Sequence, residues 1–144
     1  MQSVLKISEA ASIGLHAMTY IAFHSNEPAC TKDIAINFNV SVNHLSKVLQ
    51  RLVKAGLLHS VKGPLGGFEL TKKCEEITFL EIYEAIDGKL NEGCCLFGKK
   101  ACGADKCIMG DFLNKTNKSV REFFGNKKLS DFCNQKKELE NECF

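Results

Sequence analysis

A mainly α-helical fold carrying one small β-hairpin follows from three features of the 144-residue sequence. Apolar residues recur at three- and four-residue spacing in five separate stretches, the signature of amphipathic helices. One glycine-rich segment, residues 62–67, is flanked by short runs suited to strands. Between residues 91 and 110 the periodicity disappears and four cysteines gather.

The first element is a helix from Ile7 to His24, with Ala10, Ala11, Gly14, Leu15, Met18, Ile21 and Ala22 forming a broad apolar face. Glu9, Ser12 and His16 follow one another at three- and four-residue steps and share another row. After a loop at Asn26, Glu27 and Pro28, Thr31 is placed to cap a short helix ending at Phe38, with Asp33 in its first turn and Ile34, Ala35 and Phe38 facing inward. Asn39 and Val40 turn the chain. Ser41 caps the next helix, in which Val42, Leu45, Val48, Leu49, Leu52 and Val53 alternate with Asn43, His44, Lys47, Gln50, Arg51 and Lys54, and Gly56 stops it.

Leu57 to Val61 and Phe68 to Leu70 read as strands joined by Lys62, Gly63, Pro64, Leu65, Gly66 and Gly67, which makes a hairpin wing. Thr78 with Glu81 at the third position forms a capping box for a helix through Leu80, Ile82, Tyr83 and Ile86, closed by Gly88. The last long helix runs from Ile108 to Phe124 with Ile108, Phe112, Leu113, Val120, Phe123 and Phe124 along one side.

Two helices with a tight turn and a following hairpin make a winged helix-turn-helix. In such a unit the second helix enters the DNA major groove with its first turns nearest the bases, so Val42, Asn43, His44 and Lys47 are placed to read sequence. Arg51, Lys54 and Lys62 suit phosphate, with Thr31, Ser41, Gly63, Pro64, Leu65 and Gly66 completing the expected DNA surface. The alternative is a merely solvated polar face. The overall charge of +2 conceals an asymmetry: residues 1–73 carry a net +4 and the remainder −2. A basic face doubled in a dimer supplies phosphate attraction that the whole-chain value understates.

The length suits one core, with residues 1–90 as the DNA-binding domain, 91–107 a cysteine-rich loop, 108–132 the dimerisation helix and its end, and 133–144 a frayed, charged tail. No apolar run approaches membrane-spanning length, and the start lacks a secretory signal pattern, so a cytoplasmic location is expected. No catalytic set appears, and the protein is not expected to be an enzyme.

Eight cysteines in a cytoplasmic chain point to metal or redox chemistry rather than a disulfide framework. Cys95, Cys102 and Cys107 have C-x6-C-x4-C spacing, with Cys94 adjacent as a substitute for Cys95. Zinc knuckles commonly use C-x2-C pairs, absent here. Three spaced thiols leave one coordination position for another residue, which suits an iron–sulfur cluster of two or four irons. Reactive thiols without metal are the alternative. Cys30 and Cys74 read as structural, and Cys133 and Cys143 as tail residues.

The segment KDIAINFNVSVNHLSKVLQRLVKAGLLHSVKGPLGGFELTKKCEEITFLEIYEAIDG resembles the winged-helix core of the IscR and NsrR type of bacterial transcription regulators, in the Rrf-two superfamily. The wing followed by EEITFLEIYEAIDG carries the likeness, which spans about residues 5–132. The resemblance implies a homodimer on a palindromic operator, often with an iron–sulfur cluster reporting redox, iron, nitric oxide or sulfur status. It favours Cys95 through the apolar pair Leu96 and Phe97, and implies His16 as a further ligand supplied across the dimer. By itself His16 reads equally as a surface or hydrogen-bonded histidine. Ser12 stands where other members carry a ligating carboxylate, and a hydroxyl is a poor iron ligand. Two other readings remain on this scaffold: a metal-free thiol redox switch, and a protein-interaction module regulating an enzyme.

Overall fold

A computed structural model describes residues 7–90, 95–97, 102 and 107–134. Among them run α1 (Glu9–Phe23), α2 (Thr31–Phe38), α3 (Val42–Lys54), β1 (Leu58–Val61), β2 (Gly67–Leu70), a 3-10 turn (Cys74–Glu76), α4 (Phe79–Asp87) and α5 (Phe112–Asn126). The mainly helical fold with a two-stranded wing is as the sequence predicts.

Local chemistry sets the helix ends. Ser8, not Ile7, opens α1, its hydroxyl accepting from the Ala11 amide at 3.0 Å. Cys30 occupies the N-cap of α2 and makes no side-chain cap. Thr31 is therefore the first helical residue rather than the cap expected of it, because the Cys30 backbone is already extended and its carbonyl accepts from the Ile34 amide. Asn39 ends α2 in the left-handed conformation at φ 52°, which asparagine tolerates, and the Val40 amide returns to the Ala35 carbonyl at 3.0 Å. That tight closure is the turn of the helix-turn-helix. Ser41 caps α3 on the His44 amide, and Gly56 follows α3 at φ +78°.

The core is one cluster. Met18, Ile34, Leu45, Leu49, Leu52, Leu58, Ile77, Ile82 and Leu129 are fully buried where α1, α3 and α4 meet. Gly14 allows the closest approach: a Cβ there would stand 2.0 Å from Ile86 Cδ1. The wing pairs antiparallel, Leu58 with Leu70 through Val61 with Gly67.

Two pairings join distant segments. Ala29, before α2, bridges Phe68 of β2 through reciprocal bonds of 3.0 and 2.9 Å. Thr78 bridges Lys128, and the Leu129 amide donates to the Ile77 carbonyl at 3.1 Å, so the chain beyond α5 returns to the base of α4. Residues 129–134 are helical and Cys133 is buried at 6% exposure, part of the core rather than of a frayed tail. Leu129 and Cys133 lie one helical turn apart, and both point into the cluster. The last helix begins at Phe112 instead of Ile108. Residues 108–111 form turns with Gly110 at φ +55°, leaving Ile108 exposed.

Candidate nucleic-acid interface and cysteine strap

The exposed surface of α3 presents Val42, Asn43, Lys47, Gln50 and Lys54, with His44 half-buried behind its cap. Val42 is thus outward, because it precedes the first turn that packs through Leu45. Arg51 is exposed as well. Its guanidinium donates to the Ile86 carbonyl at 3.3 Å, in the last turn of α4, where carbonyls lacking helical donors attract a cation. Lys47 and Lys54 stand on the open face.

In the wing, Lys62, Gly63, Pro64 and Leu65 are exposed at the tip, and Gly66 returns its amide to the Gly63 carbonyl at 3.0 Å. Gly63 adopts φ +114°, a conformation that favours glycine. His59 and Glu69 face one another across the strands at 3.0 Å. Thr31 is half-buried at the start of α2, and Ser41 is exposed.

His16 of α1 lies against the end of α2 and the turn that follows it. It is exposed, with Nδ1 2.7 Å from the Ser12 carbonyl and the ring edge-on to Phe38 at 5.4 Å. A carbonyl acceptor requires the proton on Nδ1, which leaves the Nε2 lone pair of neutral His16 available to a ligand. Ser12, Ile13, Phe38, Val40 and Leu45 complete a shallow cavity of about 180 Å³ around it.

Both ends of the cysteine strap are anchored. Leu90 donates its amide to Glu84 at 3.3 Å and accepts from Arg121 of α5 at 2.8 Å. At the other end the Gly110 amide closes a turn on the Cys107 carbonyl at 3.0 Å. Glu84 and Arg121 were not singled out in the sequence, since an arginine on a charged helix carries no sign of which carbonyl it will meet. Cys95 is half-buried, and Cys102 and Cys107 are exposed. Cys94 lies outside the described residues. Among the described residues no three metal-ligating side chains meet.

On α5, Phe124 turns inward against Tyr83 at 5.6 Å between ring centres, whereas Phe112 and Phe123 are exposed at 58% and 59%. Ile108, in the turns before α5, is exposed as well.

The family profile described as "Rrf2: Iron-dependent Transcriptional regulator" matches residues 7–135. The chain belongs to the Rrf2 family. Among curated Rrf2-like relatives, the HTH-type transcriptional regulator IscR of Serratia proteamaculans is 30% identical over 132 residues, covering 90% of this chain and 80% of that protein. The IscR of Pectobacterium carotovorum is 29% identical over 138 residues, covering 94% and 84%. Among solved structures, CymR, the global cysteine regulator of B. subtilis, superposes with a TM-score of 0.77 at 25% identity, covering 92% of this chain and 98% of that one. T. potens IscR gives 0.76 at 26% identity, covering 94% and 91%. This Rrf2 chain is accordingly a DNA-binding transcriptional regulator. None of its described helices is long and apolar enough to cross a membrane.

Proposed function

We propose that the protein is a homodimeric regulator that reads a two-fold-symmetric operator through α3 and the wing, with an iron–sulfur cluster on its cysteine strap as the sensor. The observation that carries this reading is the anchoring of the strap. Its first end is held between α4 and α5 by Glu84 and Arg121, and its last cysteine opens the turn into α5. A change in the strap therefore reaches both α5 and, through α4, the core behind α3. The exposed apolar side chains Ile108, Phe112 and Phe123 bury best against a second copy, and a two-fold dimer places two recognition helices on a palindromic site.

The donor chemistry fits the cluster. Soft thiolates from Cys95, Cys102 and Cys107 suit iron–sulfur, and the imidazole of His16 has the nitrogen it needs, because Ser12 holds the other. The family resemblance favours supply of this imidazole by the second subunit of the dimer. When bound, the cluster supplies a centre whose loss or change of charge alters the strap. On the DNA side, Asn43, His44 and Lys47 contact base edges, Thr31, Ser41, Lys54 and Lys62 contact backbone, and Gly63, Pro64, Leu65 and Gly66 carry the wing along the adjacent groove.

A metal-free thiol switch is the second reading, favoured by the likeness to the oxidized form of Staphylococcus aureus CymR, with a TM-score of 0.71 at 26% identity. Anaerobic purification followed by iron and sulfide analysis separates the two. The cluster reading expects bound iron in the parent, its loss on Cys102→Ser and its retention on Cys30→Ser. Full iron retention in Cys102→Ser refutes the assignment of the cluster to the strap, and an iron-free parent that still responds to oxidants selects the thiol switch.

A further inference from the structure

Two cysteines outside the strap are brought together by the return of the chain after α5. Cys74 opens the 3-10 turn below the wing, and Cys133 ends the first turn of the helical segment after Leu129. The antiparallel contact between these segments runs from the Thr78–Lys128 bridge to the bond between Leu129 and Ile77. Cys74 lies three residues before Ile77 on one side, and Cys133 one helical turn beyond Leu129 on the other. Both side chains pack in the same apolar cluster. The two thiols are also close enough to influence one another electrostatically, Cys133 contributing to the upward displacement of the Cys74 thiol after burial and Glu75.

The surroundings of the pair differ in a useful way. Cys133 is buried, while Cys74 lines an open cavity of about 400 Å³ with Ile21, Phe68, Lys72, Lys73 and Glu75. That cavity holds both signs of charge and an apolar floor, and a small charged disulfide reaching into it meets Cys74 first. We propose that Cys74 and Cys133 form a reversible dithiol–disulfide couple, separate from the strap, that is closed by low-molecular-weight disulfides and staples the base of the wing to the segment returning from α5.

The exchange balances in two steps. The Cys74 thiolate attacks one sulfur of R–S–S–R, forming Cys74–S–S–R and expelling one RS⁻. The Cys133 thiolate then attacks the Cys74 sulfur, forming the intramolecular bond and expelling the second RS⁻. Two protein thiols are oxidised, one small disulfide is reduced to two thiols, and the two protons pass to the departing thiolates. Burial and Glu75 keep the resting Cys74 thiol protonated, so it attacks slowly and the couple answers sustained rather than brief exposure.

The test uses the full-length folded protein, incubated anaerobically with oxidised glutathione, quenched with N-ethylmaleimide and digested with trypsin. Mass spectrometry should find the peptide 74–89 joined to the peptide 129–136, with two fewer thiols alkylated and both restored by dithiothreitol. In Cys133→Ser the same treatment should stop at glutathione attached to Cys74. A parent in which Cys74 keeps the glutathione while Cys133 is alkylated overturns the proposal. So does a parent in which Cys74 pairs with a strap cysteine or neither thiol reacts. None of these outcomes depends on iron in the strap, so the couple stands or falls independently of the cluster reading.

Discussion

Replacing Gly67 by Ala tests whether the loop before α2 holds the wing in place. A Cβ on Gly67 would stand 2.3 Å from the Ala29 carbonyl oxygen and 2.5 Å from its carbon. Both are backbone atoms, so no rotamer change relieves the contact. The molecule can keep the bridge and carry overpacking strain of about 1–3 kcal/mol. Alternatively it opens the bridge and gives up bonds of 3.0 and 2.9 Å between Ala29 and Phe68. At roughly 0.5–1.5 kcal/mol each, those bonds amount to about the same loss. Alanine returns roughly 0.5–1 kcal/mol through its smaller loss of backbone entropy in a strand. The expected net destabilisation is therefore roughly 0–2.5 kcal/mol with a centre at about 1, read as a lower urea midpoint at unchanged slope. Because the freed wing no longer sits at a fixed angle to α3, affinity for a DNA site selected from a random pool should also fall. A midpoint above that of the parent would refute the packing argument.

Three further expectations are open to direct measurement. Lys62→Ala should reduce the slope of log affinity against log salt by about 0.9, one phosphate contact, and an unchanged slope removes the wing tip from the contact surface. Lys47→Ala should weaken DNA binding at unchanged thermal stability, whereas Arg51→Ala should also lower the melting temperature, since Arg51 ties α3 to the Ile86 carbonyl; equal melting temperatures would discard that distinction. At Glu81, burial acts to raise the pKa, but the Thr78 amide and Lys72 outweigh it and hold the carboxyl below its ordinary value. A lowered folded pKa stabilises above the unfolded value and is lost as pH falls through the folded one, so the parent should lose stability on acidification through and below the ordinary carboxylate range. Glu81→Gln keeps the capping box and should lose less across that window, as followed by thermal melts against pH.

Much of the fold was legible because its signals are local. Ser41 before an amphipathic run, Thr78 three residues before Glu81, and Gly56 and Gly88 at helix ends each act within one turn of chain. All four hold those places in the structure. The α2 start shows the limit of that reasoning. Thr31 is a better capping residue than Cys30, yet the helix begins at Thr31 itself, because the Ala29–Phe68 bridge extends the chain immediately before it. The start of α5 fails for a related reason: Ile108 continues an apolar pattern, but Gly110 at positive φ interrupts the helix behind it.

By itself the sequence determined the helix-turn-helix, the wing, the polar face of α3 and the clustering of cysteines, since periodicity, caps and spacing involve residues near one another in the chain. Only the tertiary structure decided that Arg51 reaches the end of α4, that Glu84 and Arg121 clasp Leu90 at the start of the strap, and that Cys133 enters the core beside Cys74. The two arginine contacts join residues tens of positions apart, and the Glu84–Leu90 bond crosses the end of a helix. No local preference distinguishes an arginine that will meet a carbonyl from one that stays in water, or a cysteine of a charged tail from one carried back into the core by the pairing of residues 77–79 with residues 127–129.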